Sequence, residues 1–137
     1  MQLTVVAKLR AVRTARALVG TIAQQIEIGP HVVITDEGRD VGGDDLGPDP
    51  HELLDAALAA CTALTLTLYA RHKGIELAAL EVEVDHEEHD GVYRMRRDIH
   101  VSGDLSAEQR TRMLEIANKC PVHRTLSGSF DIVSQLD

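Results

Sequence analysis

Aromatic residues are almost absent from this 137-residue chain, which has one Phe, two Tyr and no Trp. Its core must therefore be built from Leu, Val, Ile and Ala. The chain length predicts a single domain, residues 1–137, which is long enough to bury one core. The sequence shows neither an internal repeat nor an interdomain linker.

Positive charge is also scarce, because the formal net charge is −8. Nucleic acids bind to clustered Lys and Arg, so no nucleic-acid partner is expected, and we interpret Arg94, Arg96 and Arg97 as a polar sheet face. No apolar run approaches the roughly 20 residues of a membrane-spanning helix. The N-terminus lacks the charged-then-apolar order of a signal peptide. We therefore expect a cytoplasmic protein with no membrane partner.

Cysteine occurs only twice, at Cys61 and Cys120. Cytoplasmic thiols are kept reduced, so a disulfide between these two residues would be catalytic or redox-sensing rather than structural. The alternative is that both are small core residues, because free Cys is among the most buried residue types. The seven histidines provide no four-ligand set at zinc-site spacing, so we expect no metal.

The pattern of apolar residues and turn signals predicts an α+β fold. Asp49, Pro50 and Glu52 predict the start of a helix that runs to about Lys73. Ser106 and Gln109 predict a second helix, with Met113, Ile116, Ala117 and Cys120 on one stripe, ending at Pro121. Residue composition and turn signals predict strands at 3–12, 17–28, 31–35 and 130–133, with a turn at 13–16 and a loop at 36–49. Alternation predicts strands at 82–84 and 92–101 on either side of a hairpin turn at Asp90-Gly91.

The first predicted helix is unusually apolar. Between Leu53 and Tyr69 its only charged residue is Asp55. A helix that is apolar nearly all round must be covered on all sides, and a small sheet covers only one. We therefore expect an obligate homodimer with this helix near its centre.

If the cysteines react, their predicted positions distinguish their roles. Cys120 would lie at a helix C-terminus, where the dipole disfavours a thiolate, whereas Cys61 would lie in mid-helix. We therefore expect Cys61 to attack a peroxide and become a sulfenic acid. Cys120 would then condense with it to a disulfide, which an external dithiol would reduce.

Two segments resemble the OsmC/Ohr family (osmotically inducible protein C and organic hydroperoxide resistance protein). They are Gly47–Cys61, which reads GPDPHELLDAALAAC, and Ile116–His123, which reads IANKCPVH. The resemblance implies an OsmC-like intertwined homodimer, with two central helices wrapped by antiparallel sheets. It also implies a thiol peroxidase without cofactor that reduces organic hydroperoxides in oxidative-stress defence. Cys61 would be peroxidatic, Cys120 resolving, and a dithiol or a lipoylated protein the reductant.

Two further site residues are expected from this resemblance, although the chain departs from the family pattern. His51 stands where the hydroperoxide-resistance branch has a catalytic Glu, and Glu52, one residue later, is the candidate acid or only a helix cap. Arg16 is the candidate for the family's thiolate-stabilising Arg, with Arg13 and Arg39 as alternatives. Because this Arg–Glu pair is not clear, the alternative function is a non-enzymatic redox sensor or small-molecule-binding dimer.

Overall fold

The computed structural model describes residues 10–137. The chain divides into two compact units, Met1–Leu53 and Leu54–Asp137. The predicted α+β composition is confirmed. In chain order the elements are β1 (Val12–Arg16), β2 (Gln24–Ile28), β3 (His31–Thr35), a 3-10 turn (Arg39–Val41), α1 (Pro50–His72), β4 (Ala79–His89), β5 (Val92–Ser102), α2 (Ala107–Ala117) and α3 (Pro121–Ser127).

The first unit contains a three-stranded antiparallel sheet in the order β1-β2-β3. Gly29, with φ +57°, allows the tight turn between β2 and β3. The predicted strand at 31–35 is therefore confirmed. The turn predicted at 13–16 is wrong, because Arg13 lies in β1 opposite Glu27 and forms an ion pair of 2.8 Å with it.

The strand predicted at 17–28 is also too long. It begins only at Gln24, because residues 17–23 form a loop closed by a hydrogen bond from Ala17 N–H to Ala23 C=O at 2.9 Å. The strand predicted at 3–12 lies outside the described residues except at 10–12, and of these only Val12 is in a strand.

The predicted loop before α1 is organised by buried polar contacts. The carboxylate of Asp36 accepts hydrogen bonds from the backbone N–H groups of Glu37, Asp44 and Leu46 at 2.8 to 3.2 Å. The helix start is confirmed. Asp49 accepts from Glu52 N–H at 2.8 Å, and Glu52 accepts from Asp49 N–H at 3.0 Å.

The second unit contains the long hairpin β4-β5. Both strands have eleven residues, and they pair in register from Ala79 with Ser102 to His89 with Val92. Asp90 and Gly91 both have positive φ, as a two-residue hairpin turn requires, so the predicted hairpin is confirmed. The first strand is longer at both ends than the predicted 82–84.

The core of this unit is aliphatic, as the composition requires. Its buried cluster joins Leu66 and Ala70 of α1 to Met113 and Ala117 of α2. Apolar side chains of the hairpin, Leu80, Ile99 and Val101, pack against that cluster. The two longest helices and the sheet therefore share one core.

Only one face of α1 is buried within the second unit. Its buried residues are Asp55, Leu58, Thr62, Leu66 and Ala70. On the other side, Leu64 and Leu68 are 65% and 63% exposed. Among the described residues, α1 is also the one helix long and apolar enough to cross a membrane, which the sequence analysis did not expect. This statement rests on the length and composition of α1 alone, and the core helix of a soluble protein can have the same length and composition.

The C-terminal part corrects two predictions. The second helix begins at the predicted capping box of Ser106 and Gln109, but it ends at Ala117. Cys120 therefore does not lie on the apolar stripe of α2. Pro121 begins α3 instead of ending α2, because Pro fits the first helical position and keeps the preceding residue extended.

The strand predicted at 130–133 is wrong. Phe130, Ile132 and Val133 are at least 63% exposed and lie in no regular element. Within the described chain this segment pairs with no strand of either sheet. Apolar and β-branched residues alone do not make a strand without a neighbouring strand to pair with.

The capping box of α2 gives a direct test of this fold. Replacing Ser106 by Ala removes the acceptor for Gln109 N–H, so we expect the free energy of unfolding to fall by about 1 kcal/mol. Urea denaturation followed by circular dichroism measures the change. Thr111→Ala is the matched control on the exposed face of α2, and it should be neutral or slightly stabilising. An equal loss in both variants would contradict the capping role.

Candidate active site

Cys61 lies in the middle of α1 and is partly exposed. The Val122 N–H and the Thr65 side chain lower the pKa of its thiol, whereas the nearby Cys120 raises it. The residue next to it, Thr62, is fully buried and donates its hydroxyl hydrogen to Leu58 C=O at 2.7 Å. The helix thus presents one accessible sulfur beside one buried hydroxyl.

Cys120 is fully buried at the N-terminus of α3. Its φ of −60° and ψ of 140° are extended, and its sulfur accepts a hydrogen bond from the His123 N–H at 3.3 Å. Side chains at this position cap helices by accepting the N–H groups of the first turn. The predicted position at a helix C-terminus is therefore wrong, and the local electrostatics are reversed.

The two cysteines are brought together by the fold, and both are free thiols. Each thiol shifts the pKa of the other, and the Val122 N–H lowers the pKa of both. Thr62 Oγ1 lies 4.0 Å from Cys120 Sγ and completes the shell. A dithiol pair so close can form a disulfide with little backbone movement.

The surroundings separate the pKa values of the two thiols. Burial raises the pKa of Cys61, and the neighbouring Cys120 raises it further. Burial also opposes ionisation of Cys120, but the His123 and Val122 N–H groups and the neighbouring Cys61 outweigh it and lower the pKa of Cys120. When the pair loses one proton, the negative charge therefore resides on Cys120.

Arg97 of β5 is the cation of this site. Its guanidinium donates to Thr62 Oγ1 at 3.1 Å, to Ala117 C=O at 3.3 Å and to Asn118 Oδ1 at 2.8 Å. It is half-buried, and burial lowers its pKa while the charges of Cys120 and Cys61 raise it. Arg97 was interpreted from the sequence as part of a polar sheet face, so its position beside the thiol pair was not predicted. The alternation of β5 carried the signal, because Arg97 shares its inward face with Ile99 and Val101.

Glu52 and Arg16 lie in the first unit, and the structure gives both local roles there. Glu52 is exposed and closes the capping box of α1. The guanidinium of Arg16 donates to Thr21 C=O at 3.0 Å in the loop after β1. Of the alternatives, Arg13 pairs with Glu27, and Arg39 begins the exposed 3-10 turn. Of the predicted site residues, the structure thus joins Cys61 with Cys120.

A cavity of about 410 Å³ adjoins the site within the second unit. Arg97, Asn118 and His123 supply its polar wall. Leu58, Met95, Leu114 and Leu126 supply its apolar wall. The pKa of His123 is lowered by burial and by the charge of Arg97, so neutral imidazole faces this space. The cavity has room for a small organic molecule with a polar group at one end.

A second polar cluster was also missed from the sequence. Asp55 is 8% exposed on α1, and its carboxylate accepts from Tyr93 OH at 2.8 Å and contacts His86 Nδ1 at 2.5 Å. The rings of His86 and Tyr93 stack with centroids 4.5 Å apart. These contacts satisfy the carboxylate of Asp55, which is the one charged residue in the apolar stretch of α1. Among residues 10–137, no group of three or more His, Cys, Asp and Glu could hold a metal ion.

A family model described as OsmC-like protein matches residues 42–134, which is more than half of the chain. The chain belongs to the OsmC-like family. The resemblance seen in the sequence is thereby confirmed, and the matched range includes both cysteines and α1 to α3. None of the curated protein sequences compared with this chain matches it significantly.

Solved structures agree with the OsmC-like fold. A protein from Psychrobacter arcticus, described by an osmotic stress and detoxification response, is 19% identical with a TM-score of 0.74, covering 87% of this chain and 89% of that one. An OsmC-like protein from Mycoplasma pneumoniae is 21% identical with a TM-score of 0.69, covering 88% and 89%. The organic hydroperoxide resistance protein OhrB of Bacillus subtilis is 20% identical with a TM-score of 0.59, covering 88% and 93%.

The separated pKa values predict a two-step thiol titration. In the reduced protein, the first thiolate should form below the ordinary pKa of a thiol and the second above it. The ultraviolet absorbance of the thiolate, followed against pH, measures both steps. Cys120→Ser should abolish the low-pH step, whereas Cys61→Ser should retain it. The reverse pattern would contradict the assignment of the first charge to Cys120.

Proposed function

We propose that this OsmC-like protein is a thiol-dependent peroxidase that reduces organic hydroperoxides through a Cys61–Cys120 disulfide. The observation that carries the proposal is that the fold brings two free thiols together beside Thr62, close enough for each to shift the pKa of the other. It is supported by their difference in exposure, because Cys61 is partly exposed and Cys120 is fully buried. A peroxide therefore meets Cys61 first, as the sequence analysis expects.

The first step needs a thiolate at the accessible sulfur. Cys61 transfers its S–H proton to the neighbouring Cys120 thiolate. The Cys61 thiolate then attacks the terminal oxygen of the hydroperoxide, and the O–O bond breaks. Sulfur is oxidised by two electrons to a sulfenic acid, and the leaving alkoxide takes the proton back and departs as an alcohol. Cys120 is then a thiolate again.

The second step closes the disulfide. The Cys120 thiolate attacks Cys61 Sγ, an S–S bond forms, and hydroxide leaves and becomes water with a proton from solvent. The N–H group of His123 and the neighbouring Thr62 hold the attacking thiolate in place at the start of α3. A sulfenic acid formed beside such a thiolate is resolved before a second peroxide overoxidises it.

The third step returns the pair to the dithiol state, and we propose a dithiol or a lipoylated protein as the reductant. One thiolate of the reductant attacks the accessible Cys61 sulfur, and Cys120 leaves as a thiolate. The lowered pKa of Cys120 favours this direction, because a thiol of lower pKa leaves faster. The second thiol of the reductant then forms its own disulfide and releases Cys61. No cofactor is needed, and a reducing cytoplasm is the fitting location.

The cavity supports the preference for organic hydroperoxides. Its apolar wall of Leu58, Met95, Leu114 and Leu126 offers contacts to an alkyl or aryl group. Hydrogen peroxide has no such group, so it gains nothing from these contacts. The cavity shares Arg97 and His123 with the surroundings of the thiol pair, so an organic group bound there would lie near the cysteines.

Stopped-flow consumption of cumene hydroperoxide and of hydrogen peroxide, with dihydrolipoamide as the reductant, tests this function. We expect faster turnover of cumene hydroperoxide and mass spectra that show the intramolecular disulfide. Cys61→Ser should reduce peroxide consumption to the rate without protein, because the attacking sulfur is gone. Cys120→Ser should still lose one thiol to peroxide but accumulate a sulfenic acid.

Slow and equal reaction with both oxidants would contradict the peroxidase. A disulfide that forms under those conditions without catalytic turnover would instead favour the alternative function, a redox sensor or small-molecule-binding protein. Thr111→Ala serves as the control, because Thr111 lies on the exposed face of α2, where its hydroxyl bonds Ala107 C=O.

We also propose that the protein works as a homodimer built around α1. The support is the apolar face that the second unit leaves uncovered, where Leu64 and Leu68 lie one turn apart. Burying two such leucines contributes about 1.5–3 kcal/mol each.

Light scattering at low micromolar concentration tests the dimer. The wild-type protein should have twice the mass of the chain, and Leu64→Glu should shift it toward the monomer because a charge would be buried in the interface. Lys73→Glu is the control, since it places the same side chain at the exposed position that follows the last residue of α1. A monomeric wild-type protein that is fully folded by circular dichroism would overturn the proposal.

A further inference from the structure

The half-buried guanidinium of Arg97 lacks a carboxylate partner within the described part of the chain. Its hydrogen-bond acceptors are a hydroxyl, a backbone carbonyl and a side-chain amide, which are all neutral. The adjacent Arg96 provides the contrast, because it is 73% exposed and has Asp85 at 3.5 Å and Asp98 at 3.6 Å. A cation removed from water without a paired anion is costly, so a negative charge at this site is stabilised.

The thiol pair is the anion that fits. Arg97 interacts electrostatically with both Cys120 and Cys61. Thr62 lies between them, because its Oγ1 accepts from Arg97 Nη1 at 3.1 Å and lies 4.0 Å from Cys120 Sγ. Thr62 Oγ1 also donates to Leu58 C=O, which fixes its position on α1. The guanidinium is thus held beside the thiol pair by its hydrogen bond to Thr62, the residue next to Cys61.

We propose that Arg97 is the counter-ion and positioning residue of the Cys61–Cys120 pair, and that its charge keeps one of the two thiols ionised. This inference rests on the proposed thiol chemistry, but it concerns the reduced pair before any peroxide arrives. It assigns to β5 the role for which the sequence analysis considered Arg16, Arg13 and Arg39. The positive charge of Arg97 stabilises whichever of the two sulfurs is ionised, so it continues to act while the proton moves between them.

The other groups that face the pair do not replace this charge. From α3, His123 contributes its backbone N–H, and its imidazole has a lowered pKa, so it is a weak source of positive charge. From α2, the contact comes from neutral groups, Ala117 C=O and Asn118 Oδ1. From α1, the neighbours are the hydroxyls of Thr62 and Thr65. Arg97 is the cation in this set.

The test is the pH dependence of thiolate formation in the reduced protein, with no peroxide present. Thiolate absorbance and the rate of alkylation by iodoacetamide are measured for the wild type and four variants. Arg97→Gln should raise the midpoint of the first ionisation by about one pH unit, because an opposite charge nearby lowers a pKa by about 1–3 units. At a pH below the midpoint, alkylation should slow about tenfold. Arg97→Lys should stay close to the wild type, since the charge is kept.

Two further variants separate charge from structure. Arg96→Gln removes an exposed charge from the adjacent position of β5, and the midpoint should not change. Thr62→Val removes the bridging hydroxyl but keeps the shape, so it should give a shift of the same sign as Arg97→Gln and smaller. Thermal unfolding of each variant accompanies the titrations, because Arg97 also contacts the end of α2. A raised midpoint in Arg97→Lys equal to that of Arg97→Gln would overturn the proposal, since a structural role would then explain both.

Parallel peroxide assays distinguish this inference from the proposed function. If Arg97→Gln raises the midpoint while the wild type consumes no cumene hydroperoxide, the counter-ion role stands and the peroxidase fails. If the wild type is an active peroxidase and the midpoint of Arg97→Gln equals that of Arg96→Gln, the counter-ion role is overturned and the peroxidase stands.

Discussion

The pairing of the Cys61 and Cys120 thiols is the interaction on which the chemistry of this OsmC-like protein depends. It joins the middle of α1 to the first residue before α3, which are 59 positions apart along the sequence. It also makes the two sulfurs unequal, because one donates the shared proton and the other receives it. Everything else around the pair holds that arrangement: the N–H groups of α3, the hydroxyl of Thr62 and the guanidinium of Arg97.

The sequence predicted those features of the fold that are encoded locally. The start of α1 at Pro50 and the start of α2 after Ser106 follow from capping residues three positions apart. The hairpin follows from Asp90-Gly91. The errors arise where local signals conflict: Arg13 is in a strand because its partner Glu27 is across the sheet, and Cys120 leaves α2 because the following proline starts a new helix. A pairing partner on another strand cannot be read from a single segment.

The site was predictable in part for the same reason. Two cysteines in a chain without others are an obvious pair, and the family resemblance gave their spacing a meaning. The electrostatic surroundings of the two cysteines were not predictable. Whether Cys120 lies at the end of one helix or at the start of the next reverses the sign of the helix dipole at its sulfur. Arg97 was not predictable either, since its importance lies in the missing carboxylate, and that is a property of its three-dimensional surroundings.

The exposed turn at Asp90-Gly91 determines which residues of β5 point toward the thiol pair. Along β5 the partly buried residues are every second one, and the sequence there places Arg96 next to Arg97. A slip of one residue in the pairing with β4 would turn Arg97 outward and bring Arg96 or Asp98 inward. The two-residue turn sets that pairing, so it decides which side chain reaches Thr62. Insertions and deletions are usually tolerated in surface turns, but here a change of one residue in length would alter the charge of the site.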